Sequence, residues 1–281
     1  MAAVLALLSS LLWGGADFLG GTVSRRRPAP LVVGVSQTAG LVTIFVVAVA
    51  SHALDDEGSY LPWAVLAGVA GVVGLVSFYA ALAMGTMGVV SPIAALGVAV
   101  PVLVGLARGE RPAAVQLLGI VVAVAGVVLA SGPELSGRAG ARPVLLAGVA
   151  AVGFGVALLA IAEGSRDSTL MTLVTMRATS VSLLLVALLV AIGRGAPARD
   201  FVLGARELGL VALVGIGDVS ANLTFGLAST RGLVSVVAVL GSLYPVVTVL
   251  LALLVHGERL GRAQTLGVAG ALGGVVLIAT G

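Results

Sequence analysis

GVVSPIAALGVAVP, residues 88–101, and GLVSVVAVLGSLYP, residues 232–245, are two writings of one segment. Gly88, Val90, Ser91, Ala94, Leu96, Gly97 and Pro101 recur as Gly232, Val234, Ser235, Ala238, Leu240, Gly241 and Pro245, all at an offset of 144. Further on, Gly109-Glu110-Arg111, Gln116, Gly119 and Gly126 return as Gly257-Glu258-Arg259, Gln264, Gly267 and Gly274 at an offset of 148. The second copy therefore holds four extra residues, the difference of 148 and 144, between the proline and the Gly-Glu-Arg turn. Four residues are about one turn of α-helix, so the helix lengthens without rotating its faces. Each copy, 88–129 and 232–277, reads as two apolar helices joined by a charged hairpin.

Around this repeat the composition is that of a membrane protein. The 281 residues are 59% hydrophobic and 10% charged, with 40 glycines and a mean hydropathy of +1.21. A soluble domain carries about 25% charged residues, and no water-facing shell can be built from what is here. The absence of cysteine excludes a disulfide framework, a thiol nucleophile and a Cys metal site. All fifteen cations are arginine, standing singly or in threes near helix ends. Without a basic patch interleaved with aromatics, no nucleic-acid partner is expected. The first apolar run has no basic n-region and no Ala-x-Ala site, so it is expected to be retained.

Apolar runs long enough to cross a ~30 Å hydrocarbon core fall at 2–21, 31–50, 62–83, 89–107, 113–130, 143–162, 170–192, 208–228, 233–255 and 263–280. Short connections punctuate them, among them Arg25-Arg26-Arg27-Pro28, Asp55-Asp56-Glu57-Gly58 and Gly193-Arg194-Gly195. Because a bilayer offers the backbone no hydrogen-bond partners, and the runs are too long for barrel strands, the expected fold is all-α with ten transmembrane helices. Residues 1–131 then form a first five-helix repeat and 143–281 a second, with 132–142 as a short linker. Five is odd, so the second unit enters from the opposite side and the two repeats are inverted, with a substrate site between them near the midplane. Gln37 matches Arg177 at an offset of 140, and Trp13-Gly14 echoes Phe154-Gly155.

The doubled pattern of a short helix with Ser and Pro, a Gly-Glu-Arg turn and a Gly-rich last helix, together with Trp13-Gly14, resembles the EamA-type drug/metabolite transporters over the whole chain. The resemblance implies a ten-helix, inverted-repeat carrier of small metabolites, commonly an exporter, with a central cavity and peripheral fifth and tenth helices. It also implies an arginine at the place of Arg177.

Ionisable groups inside spans are costly and are functional candidates when they cannot reach the surface. Three qualify: Asp17, Arg177 and Asp218. Asp17 either faces the cavity or reaches the interface beside Arg25 to Arg27. Asp218 sits mid-span, with Asn222 one turn along on the same face. Two carboxylates and one guanidinium cannot pair one to one, and a left-over carboxylate in a medium of low dielectric can bind and release a proton. Asp218 and Asp17 are therefore the proton-coupling candidates, with Asp218 the first to test. The alternative is a static network in which Arg177 serves both. Trp13, Gln37, Tyr79, Arg177, Asn222 and Tyr244 are the substrate-cavity candidates, and Arg177 as a bidentate partner favours a carboxylate-bearing substrate. Pro101 and Pro245, each read as mid-span, are expected to bend their helices.

For enzymology the sequence offers little. His52 and His256 stand near span ends and form no metal-ligand pair, so neither metal nor cofactor is expected. Glu110 and Glu258 sit in the mirrored turns beside Arg111 and Arg259, where capping and charge pairing account for them. The glycines of the fifth and tenth spans let helix backbones approach closely. The expected function is a secondary transporter of small metabolites or drugs, multi-pass in a bacterial cell membrane, its partners a small-molecule substrate, lipid bilayer and protons. A monomer or weak dimer is expected. An uncoupled facilitator or channel is the alternative, with a membrane scaffold or enzyme behind it. The termini face carries Arg108, Arg111, Arg166 and Arg231 and the opposite face ten arginines, so the positive-inside rule places both termini outside the cytoplasm, against the family's usual arrangement.

Overall fold

Hydrocarbon leaves a backbone only its own carbonyls to bond, and among the described residues the chain is built of helices and turns without a strand. The computed structural model describes residues 1–53, 58–84, 90, 93–130, 141–195, 202–256 and 261–280. Ser91, Glu258, Arg259, the Asp55–Glu57 acidic run and most of the 132–142 linker lie outside them.

Helices α1 (Ala2–Ser24), α2 (Ala29–Ala50) and α3 (Leu61–Met84) follow the first three apolar runs. Pro30 stands in the first turn of α2, where its missing N–H leaves no bond unmade. A 3-10 turn at Leu96–Val98 leads into α4 (Ala99–Ala107), followed by α5 (Ala114–Ala130). Between α4 and α5, Gly109 has φ +92°, a left-handed conformation that explains why glycine opens the Gly-Glu-Arg turn. The second half comprises α6 (Ala141–Gly193), α7 (Ala205–Ser229), α8 (Val234–Gly241), α9 (Tyr244–His256) and α10 (Arg262–Thr280). Five helices, α1, α2, α3, α6 and α7, are long and apolar enough to cross a membrane, and shorter apolar helices occupy the remaining runs.

The runs 143–162 and 170–192 are the two helical arms of α6, 141–167 and 169–193, which meet at a kink at Ser168, whose φ of −151° and ψ of 111° are extended. One expectation needs correction: the run 233–255 is not one unbroken helix, because a turn at Ser242 and Leu243 divides α8 from α9. Pro245 is therefore the second residue of a new helix, where no donor is lost. Pro101 is the third residue of α4, which runs on from the 3-10 turn through Val98 and Ala99 with helical backbone angles. The longer second copy is visible as thirteen residues in α9 against nine in α4.

The broadest interfaces set α3 on α6, α5 on α10 and α1 on α7, while α2 lies against both α7 and α6. Glycines make several of these contacts intimate. A Cβ on Gly126 would strike the backbone of Ala271, and one on Gly274 would lie 2.7 Å from the Cα of Ala123. Outward, large apolar side chains are left bare, Leu103 at 65% and Leu266 at 68% exposure among them, a surface suited to lipid and not to water.

Candidate functional site

Polar residues enter the middle of this apolar bundle from four helices. On α1, Trp13 and Asp17 are one turn apart and share a face, as Asp218 and Asn222 do on α7. Gln37 comes from α2 and Arg177 from the second arm of α6. The turn between α8 and α9 adds Ser242, and the start of α9 adds Tyr244. All of these side chains line a single cavity.

Asp218 is the most heavily engaged group. Its Oδ1 accepts from Trp13 Nε1 at 3.1 Å and from Asn222 Nδ2 at 3.2 Å. Its Oδ2 accepts from Gln37 Nε2 at 3.3 Å and stands 2.8 Å from Arg177 Nη2. The guanidinium also donates through Nη1 to Gln37 Oε1, so the Gln37 amide takes from one charged group and gives to the other. Arg177 is 3% exposed. Charges so far from water are tolerable only when paired and hydrogen-bonded, and Arg177 and Asp218 are each both, although among the described residues the buried Nε of Arg177 has no hydrogen-bond partner.

Asp17 behaves differently. It faces the cavity close enough to Asp218 for the two carboxylates to repel, and among the described residues it has neither a hydrogen bond nor an ion pair. The Tyr244 hydroxyl is buried and, among the described residues, unpartnered as well. Of the eight residues singled out for cavity or coupling roles, Trp13, Asp17, Gln37, Arg177, Asp218, Asn222 and Tyr244 converge here. Tyr79 does not. It is 1% exposed, stacked beside Phe78, with its hydroxyl held where a side chain on Gly20 would otherwise sit.

The opposite wall was not anticipated. Phe154 and Leu158 from the first arm of α6, Gly71 and Leu75 from α3, and Val98 complete the cavity. Phe154 stacks edge-on against Phe78 with centroids 5.5 Å apart. Its match to Trp13 in the repeat was the available signal; Gly71 and Leu75 carried none, being indistinguishable from packing residues until α3 is placed. Among the described residues no group of three or more His, Asp or Glu could hold a metal ion.

At the face where the chain begins, Glu110 reaches into the other half. Its carboxylate accepts the N–H of Val234 at 2.8 Å and of Ser235 at 3.0 Å, capping the N-terminus of α8. Beside it Arg108 pairs with Glu163, which also meets Arg166 at 3.4 Å.

The sequence matches the model of the EamA-like transporter family twice, over residues 1–132 and 141–280. No curated protein matches it significantly. Among solved structures it is similar to one described only as the crystal structure of a protein, with a TM-score of 0.77 and 22% identity over 99% of this chain and 96% of that one. That likeness speaks for the fold alone.

Proposed function

The chain belongs to the EamA-like transporter family, and on that premise we propose that it is a secondary transporter of small molecules, an exporter working by alternating access between two inverted halves. The observation that carries this reading is the bond between Gln37 and Arg177. They occupy equivalent positions in the two copies, and in a pair of units related by a two-fold axis only residues at the axis can touch their own counterparts. That contact supports an axis beside the cavity, where a site for alternating access belongs. Other contacts are paired in the same sense. Gly155 lies against Gly97 and Val100, and Gly14 against the Tyr244 carbonyl, with Gly14 equivalent to Gly155 and Tyr244 to Val100.

In this proposal the ten runs are ten crossings, α6 contributing two through its break at Ser168 and the α8–α9 pair one. Residues 1–131 and 143–281 are the two halves, seated in the plasma membrane of a bacterium. Proton coupling falls to Asp17 and not to Asp218, because Asp218 is occupied by Arg177, Gln37, Trp13 and Asn222.

Reconstitution into proteoliposomes tests the class. Saturable uptake that is accelerated by substrate on the far side is the expected result. Flux that does not saturate means a channel, and no flux across a broad metabolite panel means a scaffold.

A further inference from the structure

The two walls of the cavity are the same wall written in different chemistry. Extending the repeat to α3 and α7 aligns Gly68, Val72, Phe78 and Ala81 with Gly215, Val219, Phe225 and Ala228 at an offset of 147, all of them buried in the structure. Gly71 then corresponds to Asp218 and Leu75 to Asn222. At the offset of 141 that joins Trp13 to Phe154, Asp17 corresponds to Leu158, and at 144 Ser242 corresponds to Val98. Every one of these ten residues lines the cavity. The polar member of each pair falls on the α1–α7 side and the apolar or side-chain-free member on the α3–α6 side. Only Gln37 and Arg177 are polar in both copies.

The charges on the polar wall do not balance. Arg177 is the one cation among the residues lining the cavity, and it is already paired with Asp218 and bonded to Gln37. Asp17 remains, without a partner among the described residues. A bound anion would meet this surplus carboxylate with no unspent cation in compensation. A bound cation supplies what the wall lacks, and an apolar body finds the opposite face of Phe154, Leu158 and Leu75 ready for it.

We propose that the cavity takes an amphipathic monocation, an amine or quaternary ammonium whose charge sits against Asp17 and whose aryl or alkyl body lies on the Phe154–Leu158–Leu75 wall. This deepens the transporter proposal and rests on it for the identity of the site. It also replaces the sequence-based expectation of a carboxylate substrate held by Arg177, since that guanidinium is committed to Asp218.

Binding can be measured apart from transport. The chain has two tryptophans, so the full-length Trp63→Phe protein leaves Trp13, inside the cavity, as the fluorophore. Three probes share one phenylethyl body: phenethyltrimethylammonium, 3-phenylpropanamide and 3-phenylpropanoate. The cation is expected to quench Trp13 at concentrations about tenfold or more below the other two, a tenfold step being the scale of one well-placed charge interaction. Asp17→Asn removes that advantage and Asp17→Glu keeps it; Asp17→Ser replaces Asp17→Asn if the latter does not fold. Phe154→Ala weakens all three probes alike. Equal or tighter binding of the propanoate, a cation advantage that survives Asp17→Asn, or no quenching by the cation at all overturns the proposal. Cation binding without flux in proteoliposomes refutes the transporter reading and spares the cavity's chemistry, whereas saturable propanoate flux without cation preference does the reverse.

Discussion

The guanidinium of Arg177 stands 2.8 Å from the carboxylate of Asp218, their side chains being 4% and 16% exposed. Breaking such a pair costs about 3 to 5 kcal/mol because the surviving charge is stranded. Asp218→Asn should therefore lower the thermal unfolding temperature of the purified protein sharply. Adding Arg177→Gln should recover most of the loss, since the second change removes the orphan. If the single variant is as stable as the parent, the pair has no structural role.

Asp17→Asn should leave stability close to that of the parent, because no described partner is lost. Its effect belongs to transport. Wild-type uptake should vary with pH, and uptake by Asp17→Asn should not, with substrate exchange across the membrane retained. The groups facing Asp17 from neighbouring helices are Asp218 on α7, Tyr79 on α3 and Tyr244 on α9. Unchanged pH dependence in the variant would move the coupling role to one of them.

Much of this was legible in the chain. The doubled segment and the length of the apolar runs dictated helices, and the rarity of charge inside those runs singled out Asp17, Arg177 and Asp218. Pairing was not legible, because a sequence shows that two carboxylates compete for one guanidinium but not which lies within reach. The direction of Tyr79 was not legible for a related reason: a tyrosine in a span reads alike whether its ring points to a cavity or, as here, to the gap left by Gly20. The turn before Pro245 was hidden too, since Pro in a long apolar run fits a kink as well as a fresh helix start.

Glu110 should be worth measurable stability through its grip on α8. Its two oxygens accept from Val234 and Ser235, and removing a helix cap costs roughly 0.5–2 kcal/mol. Glu110→Ala should destabilise by that order, and Glu110→Gln by less, as one carbonyl acceptor survives. The two melting temperatures, compared with the parent, decide it.

Close backbone contact predicts a contrast among glycines. Gly126→Ala must push α5 from α10 and should cost about 1–3 kcal/mol, the usual range for overpacking. Gly148→Ala meets nothing within 4 Å and should be neutral or slightly stabilising. Equal melting temperatures for the two variants would show that α5 and α10 are not pressed together in the membrane.

Orientation is open to a direct check. Arginines crowd the face opposite the termini, so a reporter fused after Gly281 that is active only in the cytoplasm should be silent. Activity there would show that the family's usual arrangement overrides the charge count.

The glycine seam between α5 and α10 bears on movement as well as on stability. Gly126 and Gly274 bring the two helices close enough for backbone to meet backbone, with only small side chains such as Ala123 and Ala271 beside the contact. Small alanine side chains have no rotamers to swap, so the two helices at this contact move together more readily than they slide. The two ends of the repeat are thereby clamped like the leaves of a book at its spine. Under the proposed alternating access, opening of the cavity falls to α1, α3, α6 and α7, with α5 and α10 moving as one body beside them.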